Sequence, residues 1–328
     1  MTRKRAVLGI DTSNYTTSLC LMREDGEIVK NIKLLLPVKE GEAGLRQSDA
    51  LFSHTKNLPV VFSEAREEIS KHQITAIGVS ARPRDVTGSY MPCFLSGLSV
   101  ASALSATLGV DMYEYSHQAG HIAAAMKSSG MNETYKEENF ISFHVSGGTT
   151  EMLLCKRSGD DISARIIGKT LDLNAGQTID RCGVMLGMPF PSGKYVEQKA
   201  LSYYETHGKV GGFGVSVKGC DCCLSGLENL SRRAYTESGD AGYVCAFVIE
   251  YIAKTLIKMC KSAIEQYGDI PLLFAGGVMS CSIIKDRIRS VYPRSYFALP
   301  EFSSDNAAGV ADLARVRVCG SPDNFCKE

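Results

Sequence analysis

The sequence has no excess of charge of either sign. Its 328 residues include 36 Lys and Arg and 36 Asp and Glu, so the formal net charge is zero. Proteins that bind nucleic acid on their own are usually basic, because contacts to phosphates supply much of the binding energy. The balance therefore predicts that any contact with RNA is a local patch or is shared with a partner protein.

Long apolar stretches are also absent. No apolar run reaches the roughly 18 residues that a transmembrane helix needs, so we expect no contact with a membrane. Residues 2–5 lack the apolar region and the cleavage site of a signal peptide. Together these absences predict a cytoplasmic protein.

The cysteines do not form the pattern of a disulfide framework. Most of the twelve lie in apolar segments, which favours reduced thiols buried in a core. The exception is the cluster of Cys220, Cys222 and Cys223, which could bind a soft metal or act as a redox switch. No second Cys or His cluster lies at zinc-finger spacing, so a structural role is the commoner expectation.

The length and a short internal repeat predict two lobes. A chain of 328 residues with 44% hydrophobic content is long enough for two domains. A strand, a turn of small residues and a second strand occur at 7–21 and again at 140–154. We expect two lobes of similar topology facing a central cleft. The predicted divisions are an N-terminal lobe at 1–115 completed by a helix at 306–319, a C-terminal lobe at 116–305, and a disordered tail at 320–328.

Two of the histidines are spaced for joint binding of a metal ion. His117 and His121 are four residues apart, which places both rings on one face of a helix. Neutral imidazole nitrogens are good ligands for divalent transition metals. A third ligand must come from elsewhere, and Asp305 is the best candidate. The alternative is one core histidine beside one surface histidine.

Glycine turns that follow strands predict a phosphate-binding site. The turns at 145–149 and 275–278 each follow an apolar strand, and glycine backbones let N–H groups approach a phosphate. Asp180 and Lys194 could contact a ribose and a phosphate. Asp11 ends the first strand, where it could hold a metal-bound water or orient the reactants. Each turn alone could equally be an ordinary loop.

The order of these motifs resembles the tRNA N6-threonylcarbamoyladenosine synthase family, the TsaD type. The resemblance rests on segments 9–13, 116–121, 145–151, 172–180, 191–194, 224–227, 275–278 and 304–308. It implies an α/β, two-lobed nucleotide-binding fold of the kind shared by actin, sugar kinases and heat-shock chaperones (the ASKHA fold). It also implies transfer of a threonylcarbamoyl group from threonylcarbamoyl-AMP to N6 of an adenosine next to the tRNA anticodon.

The resemblance assigns a role to individual residues. His117, His121 and Asp305 match the ligands of one divalent metal ion, either iron or zinc. The positions that match contacts to the adenine nucleotide, threonylcarbamoyl-AMP or ATP, are Val145, Ser146, Gly147, Gly148, Thr149, Asp180, Gly193, Gly276, Gly277 and Cys281. Asp11 is the candidate catalytic residue. The implied partners are tRNA as substrate, a sister protein of the same fold and a small P-loop ATPase.

The chain departs from the family pattern at several polar positions. Tyr15 and Thr16 stand where the family has acidic residues, Thr149 replaces a histidine, Gln177 a glutamate and Cys281 an asparagine. These losses leave two alternatives open, a related transferase with a different acceptor and a non-catalytic partner subunit. Peptidase activity lacks support, because no glutamate lies beside the His pair as in the His-Glu-x-x-His motif.

Overall fold

A computed structural model describes residues 3–13, 15–37, 45–134 and 138–320. The predicted disordered tail lies, from residue 321 onward, outside the described residues. The chain forms two compact units. Unit 1 comprises residues 1–138, 156–164 and 301–328, and unit 2 comprises residues 139–155 and 165–300. The predicted lobe boundaries stay a prediction.

The described residues form both strands and helices, and several strands or helices follow one another directly. The strands are β1 (Lys4–Asp11), β2 (Thr16–Arg23), β3 (Ile28–Leu35), β4 (His72–Arg82), β5 (Asp111–Ser116), β6 (Asn139–Val145), β7 (Thr150–Ser158), β8 (Asp161–Lys169), β9 (Ser216–Lys218), β10 (Asp221–Cys223), β11 (Leu272–Ala275) and β12 (Ser295–Phe297). The helices are α1 (Gln47–Lys71), α2 (Phe94–Leu108), α3 (His117–Ser128), α4 (Met131–Thr134), α5 (Ala175–Met185), α6 (Gly193–Thr206), α7 (Gly226–Ser238), α8 (Ala241–Tyr267), α9 (Ser282–Val291) and α10 (Ala308–Cys319).

Unit 1 is built on a five-stranded sheet in the order β3-β2-β1-β4-β5. The first three strands form an antiparallel meander, and β4 and β5 continue it in parallel to β1. Ile10 packs toward α2, whereas the neighbouring Gly9 faces α10. Because successive side chains of a strand point to opposite faces, α2 and α10 cover opposite sides of this sheet.

Helix α10 lies unusually close to the sheet and to α3 because glycines face it. A Cβ atom at Gly9 would lie 2.3 Å from the carbonyl oxygen of Ala307, and one at Gly78 would lie 2.1 Å from that of Val310. A Cβ at Gly309 would lie 1.8 Å from the carbonyl oxygen of Gly120 in α3. No side chain fits at these contacts, so the three elements meet backbone to backbone.

Unit 2 contains a second five-stranded sheet, in the order β12-β11-β6-β7-β8. The central strands β6 and β11 are parallel, with Ala275 opposite His144 at their carboxyl ends. The long helix α8 supplies much of the buried core, including Val248, Ile252 and Leu256. Both glycine turns follow these two strands. Among the described residues, no helix is long and apolar enough to span a membrane.

Candidate functional site

Helix α3 holds the two histidines on one face, as their spacing predicts. It begins directly after β5, where the Ser116 side chain accepts a hydrogen bond from the backbone N–H of Ala119 at 3.1 Å. Such an N-cap fixes the first turn of a helix and therefore the position of its first side chains. The rings of His117 and His121 meet edge to face, with centroids 4.3 Å apart.

Asp305 reaches both imidazoles. Its Oδ1 lies 3.1 Å from Nε2 of His121 and 3.4 Å from Nε2 of His117. One ligand atom from each of the three side chains lies within 4.8 Å of the others. Two imidazole nitrogens and a carboxylate oxygen are a ligand set that suits divalent transition metals, so these residues fit such an ion.

The segment before α10 presents Asp305. The side chain of Asn306, which is buried, donates to the backbone carbonyl oxygens of Phe302 at 3.2 Å and Ser304 at 2.7 Å. Its Oδ1 accepts the N–H of Ala308 at 3.1 Å, in the first turn of α10. The Asn306 side chain therefore joins the turn that carries Asp305 to α10. The glycine contacts in turn fix the position of α10.

Asp11 contacts a predicted metal ligand, and polar residues surround it. It is buried at the end of β1, and its Oδ2 lies 2.9 Å from Nδ1 of His117. The hydroxyl of Ser80 donates to the same oxygen at 2.8 Å, and the N–H of Ser13 donates to Oδ1 at 2.7 Å. A carboxylate on Nδ1 fixes the ring orientation and leaves Nε2 directed at the other ligands.

Ser13 and Ser80 were not predicted from the sequence. Ser80 follows Val79, which pairs with Ile10 in the parallel β1–β4 ladder. A usable signal exists, since neighbouring parallel strands bring their carboxyl ends to one edge of a sheet. The pairing of β4 with β1 must be known before that signal can be applied.

The charges of the centre are strongly coupled. Burial alone lowers the pKa of His117, but the adjacent Asp11 and Asp305 outweigh it and raise that pKa to about 10. Burial raises the pKa of Asp11, and the contact with His117 reverses the shift, so the pKa ends below its ordinary value. The pKa of Asp305 is also lowered, because hydrogen bonds from His117 and His121 outweigh its burial. The two carboxylates therefore favour the protonated form of His117.

In unit 2 the turn at 145–149 is closely packed on one side and open on the other. A Cβ at Gly176, in the first turn of α5, would lie 2.6 Å from the backbone nitrogen of Gly147. The hydroxyl of Ser146 accepts the N–H groups of Gly148 at 3.3 Å and Thr149 at 3.1 Å. No atom lies within 4 Å of a Cβ placed on Gly147 or Gly148, so their outer faces are accessible.

The second glycine turn adjoins the first. Gly276 has a φ of 102°, and a Cβ there would lie 2.3 Å from the carbonyl oxygen of Val145. Gly277 starts a short 3-10 helix at Gly277–Ser280 and faces open space. Cys281 is buried, and burial raises the pKa of its thiol to about 12. The structure thus brings the two turns together, with Cys281 beneath the surface as an un-ionised thiol.

Asp180 and Gly193 lie at a neighbouring corner of unit 2. Asp180 accepts the backbone N–H of Ser192 at 2.6 Å, immediately before Gly193 starts α6. Asp180 lies four residues, or about one helical turn, after Gly176 in α5. Gly176 is the residue that packs against the 145–149 turn. This hydrogen bond gives Asp180 a structural role. Contact of Asp180 with a ribose stays a prediction.

The Cys220–Cys223 cluster forms no metal site in the described structure. Cys220 and Cys222 are buried, and burial raises the pKa of Cys222 to about 12. Within the described part of the chain, His117, His121 and Asp305 form the one group of side chains arranged to bind a metal ion.

Two five-stranded sheets with helices packed on them define an α/β protein of the ASKHA class. Component A of (R)-2-hydroxyglutaryl-CoA dehydratase from Acidaminococcus fermentans aligns with a TM-score of 0.53 and 12% identity, over 95% of this chain and 98% of that one. HypF in its phosphate- and nucleotide-bound form aligns with a TM-score of 0.56 and 12% identity, over 96% and 55%. The predicted fold class is confirmed.

Within this class, the chain belongs to the TsaD family. Residues 40–312 match the profile of that family, described as tRNA N6-adenosine threonylcarbamoyltransferase. A relative of that name from Methanopyrus kandleri is 25% identical over 310 residues, which span 93% of this chain and 85% of the relative. The predicted resemblance is confirmed, and so is the enzyme class of the family, an acyltransferase.

Proposed function

We propose that this protein transfers a threonylcarbamoyl group from threonylcarbamoyl-AMP to N6 of an adenosine in tRNA. In this reaction the N6 nitrogen forms a bond to the carbamoyl carbon, and the bond from that carbon to the phosphate oxygen breaks. AMP leaves with the electron pair, and the amine loses one proton to water. The meeting of His117, His121 and Asp305 is the observation that carries the proposal.

His117, His121 and Asp305 would hold one divalent metal ion, either iron or zinc. A bound ion supplies Lewis acidity and a template for the carbamoyl or carboxylate oxygens of the donor. Asp11 orients the His117 ring through Nδ1, and Ser80 and Ser13 hold Asp11 in turn. These contacts orient the ligands in advance, which lowers the free-energy cost of binding the ion.

The glycine turns bind the adenylate. A Cβ at Gly147 or Gly277 would face open space, so no side chain blocks a phosphate there, and Val145, Ser146, Gly148, Thr149 and Gly276 complete the two turns. Asp180 and Gly193 contribute contacts to the nucleotide from the corner between α5 and α6. Cys281 follows the second turn directly after the short helix Gly277–Ser280. Fixed N–H dipoles stabilise the charge that AMP carries as a leaving group.

The proposed setting is cytoplasmic, with tRNA as substrate. A sister protein of the same fold and a small P-loop ATPase are the proposed partners. Partners of this kind would supply nucleic-acid contacts that a chain of zero net charge provides only locally.

The direct test mixes the protein with threonylcarbamoyl-AMP and unmodified tRNA, with and without partner proteins, and measures the modified adenosine by mass spectrometry. Asp305→Ala should reduce product at least about 100-fold, because it removes a ligand of the centre. Asp49→Asn, an exposed carboxylate in α1, serves as the matched control and should leave the rate unchanged. Absence of product under every condition would reject the tRNA reaction.

A second candidate is a carbamoyl-type transfer that depends on ATP or an adenylate and uses a different acceptor. The observation in its favour is the change of polar residues, above all the exposed Tyr15 in place of an acidic residue and the buried, un-ionised Cys281. Supplying ATP and carbamoyl phosphate with a panel of amine metabolites distinguishes the two. Product with a metabolite and none with tRNA would favour this second function.

A further inference from the structure

Lys33 shares a row of the unit 1 sheet with Asp11. The register places Asp11 opposite Ser18 in the β1–β2 pair, and Ser18 opposite Lys33 in the β2–β3 pair. Directly opposite residues project from the same face of a sheet. Lys33 therefore leaves the sheet on the face where Asp11 contacts His117, two strands away or about 10 Å.

The ammonium group of Lys33 holds the segment that precedes Asp305. Its Nζ donates to the backbone carbonyl oxygen of Glu301 and to the hydroxyl of Ser304, the latter at 3.1 Å. Glu301 and Ser304 are exposed, whereas Phe302 between them is half-buried. Asn306 ties this stretch to α10 through the carbonyl oxygens of Phe302 and Ser304. Lys33 ties it to the sheet through Glu301 and Ser304.

We infer that Lys33 is a positioning residue for the metal centre, holding residues 301–304 so that Asp305 meets both imidazoles. The inference rests on the proposed metal site. Hydrogen bonds from a charged donor are stronger than neutral ones, and two of them restrict the turn that precedes Asp305. Asp305 is also close enough for its charge to act on Lys33. Loss of the ammonium group should therefore loosen Asp305 while the fold remains.

The test measures the Kd of Co²⁺ by calorimetry and by the visible absorption of the bound ion. Lys33→Met keeps the chain length and removes the donor, and it should raise the Kd about 10-fold or more. Lys33→Arg restores a charged donor and should recover most of the affinity. Lys30→Met is the matched control, because Lys30 lies on the same strand with an exposed side chain near Glu64 and should bind Co²⁺ like the wild type.

The absorption spectrum and the Arg rescue separate positioning from general stability. A weakened and altered Co²⁺ spectrum in Lys33→Met, with an unchanged melting temperature of the metal-free protein and rescue by Arg, supports the inference. An unchanged Kd in Lys33→Met, beside loss of binding in Asp305→Ala, overturns the role of Lys33 and leaves the metal centre standing. No Co²⁺ binding by the wild type overturns the proposed metal site and this inference with it.

Discussion

At the scale of single residues, the contact between Asp11 and His117 should determine how tightly the proposed centre binds a metal ion. Asp11→Asn keeps the size of the side chain and removes its charge. We expect the Kd of Zn²⁺ or Co²⁺ to rise about 10- to 100-fold, as for other carboxylates that orient a ligating histidine. Metal titration measures this, with Asp49→Asn as the control. An unchanged Kd would show that His117 needs no orienting partner.

The protonation of His117 gives the metal-free protein a pH-dependent stability. The pKa of His117 rises from 6.5 to about 10 in the folded state, so its contribution is full below pH 6.5 and is lost as the pH rises toward 10. The pKa values of Asp11 and Asp305 are lowered from 3.8, so their contribution is present above that pH and is lost on acidification.

We therefore expect the urea midpoint of the metal-free protein to fall between pH 6.5 and 9.5, with a smaller fall in Asp11→Asn. Metal affinity should change in the opposite sense and strengthen with rising pH, because the ion displaces the proton from His117. Urea titrations at several pH values in a chelator, and metal titrations across the same range, measure both. A midpoint that rises over this range would contradict the assigned proton.

How far such residues can be predicted depends on whether their partners are local. The His117–His121 pair follows from helical spacing alone. Asp305 lies 184 residues from His121, and only the family resemblance strengthens its assignment as the third ligand. Strand pairing brings Ser80 to Asp11, and Lys33 contacts the turn before Asp305. No local sequence pattern indicates either contact. Cys281 was predicted at the nucleotide from the resemblance, while its burial depends on the packing around it.

At the scale of elements, the close approach of α10 to α3 should control the metal centre. Gly309→Ala places a Cβ 1.8 Å from the carbonyl oxygen of Gly120, and the helices must separate to admit it. We expect a loss of about 3 kcal/mol or more in the free energy of unfolding. Gly226→Ala in α7 is the control, since nothing lies within 4 Å of its Cβ, and it should change stability by about 1 kcal/mol at most.

Chemical denaturation gives both values. Equal stability of Gly309→Ala and the wild type would mean that α10 can move away without cost. Metal titration of the folded fraction adds a second measurement, because α3 carries both histidines and α10 follows Asp305 directly.

The contact between α5 and the 145–149 turn should control the nucleotide site in the same way. Gly176→Ala directs a Cβ at the backbone nitrogen of Gly147, 2.6 Å away, and must displace the turn. We expect binding of a fluorescent adenine nucleotide to weaken at least about 10-fold, because phosphate recognition depends on fixed N–H groups. Co²⁺ affinity should not change. Gly226→Ala again serves as the control, and equal nucleotide affinity in the two variants would argue against a phosphate site at this turn.

Helices with narrow apolar faces are hard to predict from sequence patterns. In α6 the buried side chains are Val196 and Ala200, and in α7 they are Leu227 and Ser231. A helix with two buried positions gives a weak periodic signal, whereas α8 buries a full stripe and gives a strong one. The strands β1, β2 and β6 were predictable for the same reason, since each is apolar over most of its length.

At the scale of the whole molecule, the charge balance limits how the chain can bind tRNA. With 36 basic and 36 acidic residues, no net field draws a polyanion toward the surface, and affinity must come from a few local contacts. Each phosphate neutralised adds roughly 0.7 to 0.9 to the slope of log K against log salt. We expect the chain alone to give a slope smaller in magnitude than about 4, corresponding to few phosphate contacts.

Addition of the proposed partner proteins should strengthen tRNA binding and steepen this slope, because they bring basic groups of their own. Filter binding or fluorescence anisotropy at several salt concentrations measures both. Asp305→Ala should leave the slope unchanged, since the metal centre is small beside a tRNA contact. A slope near 10 for the chain alone would show that the charge balance conceals a large basic surface. The partners would then be needed for a step other than holding the tRNA.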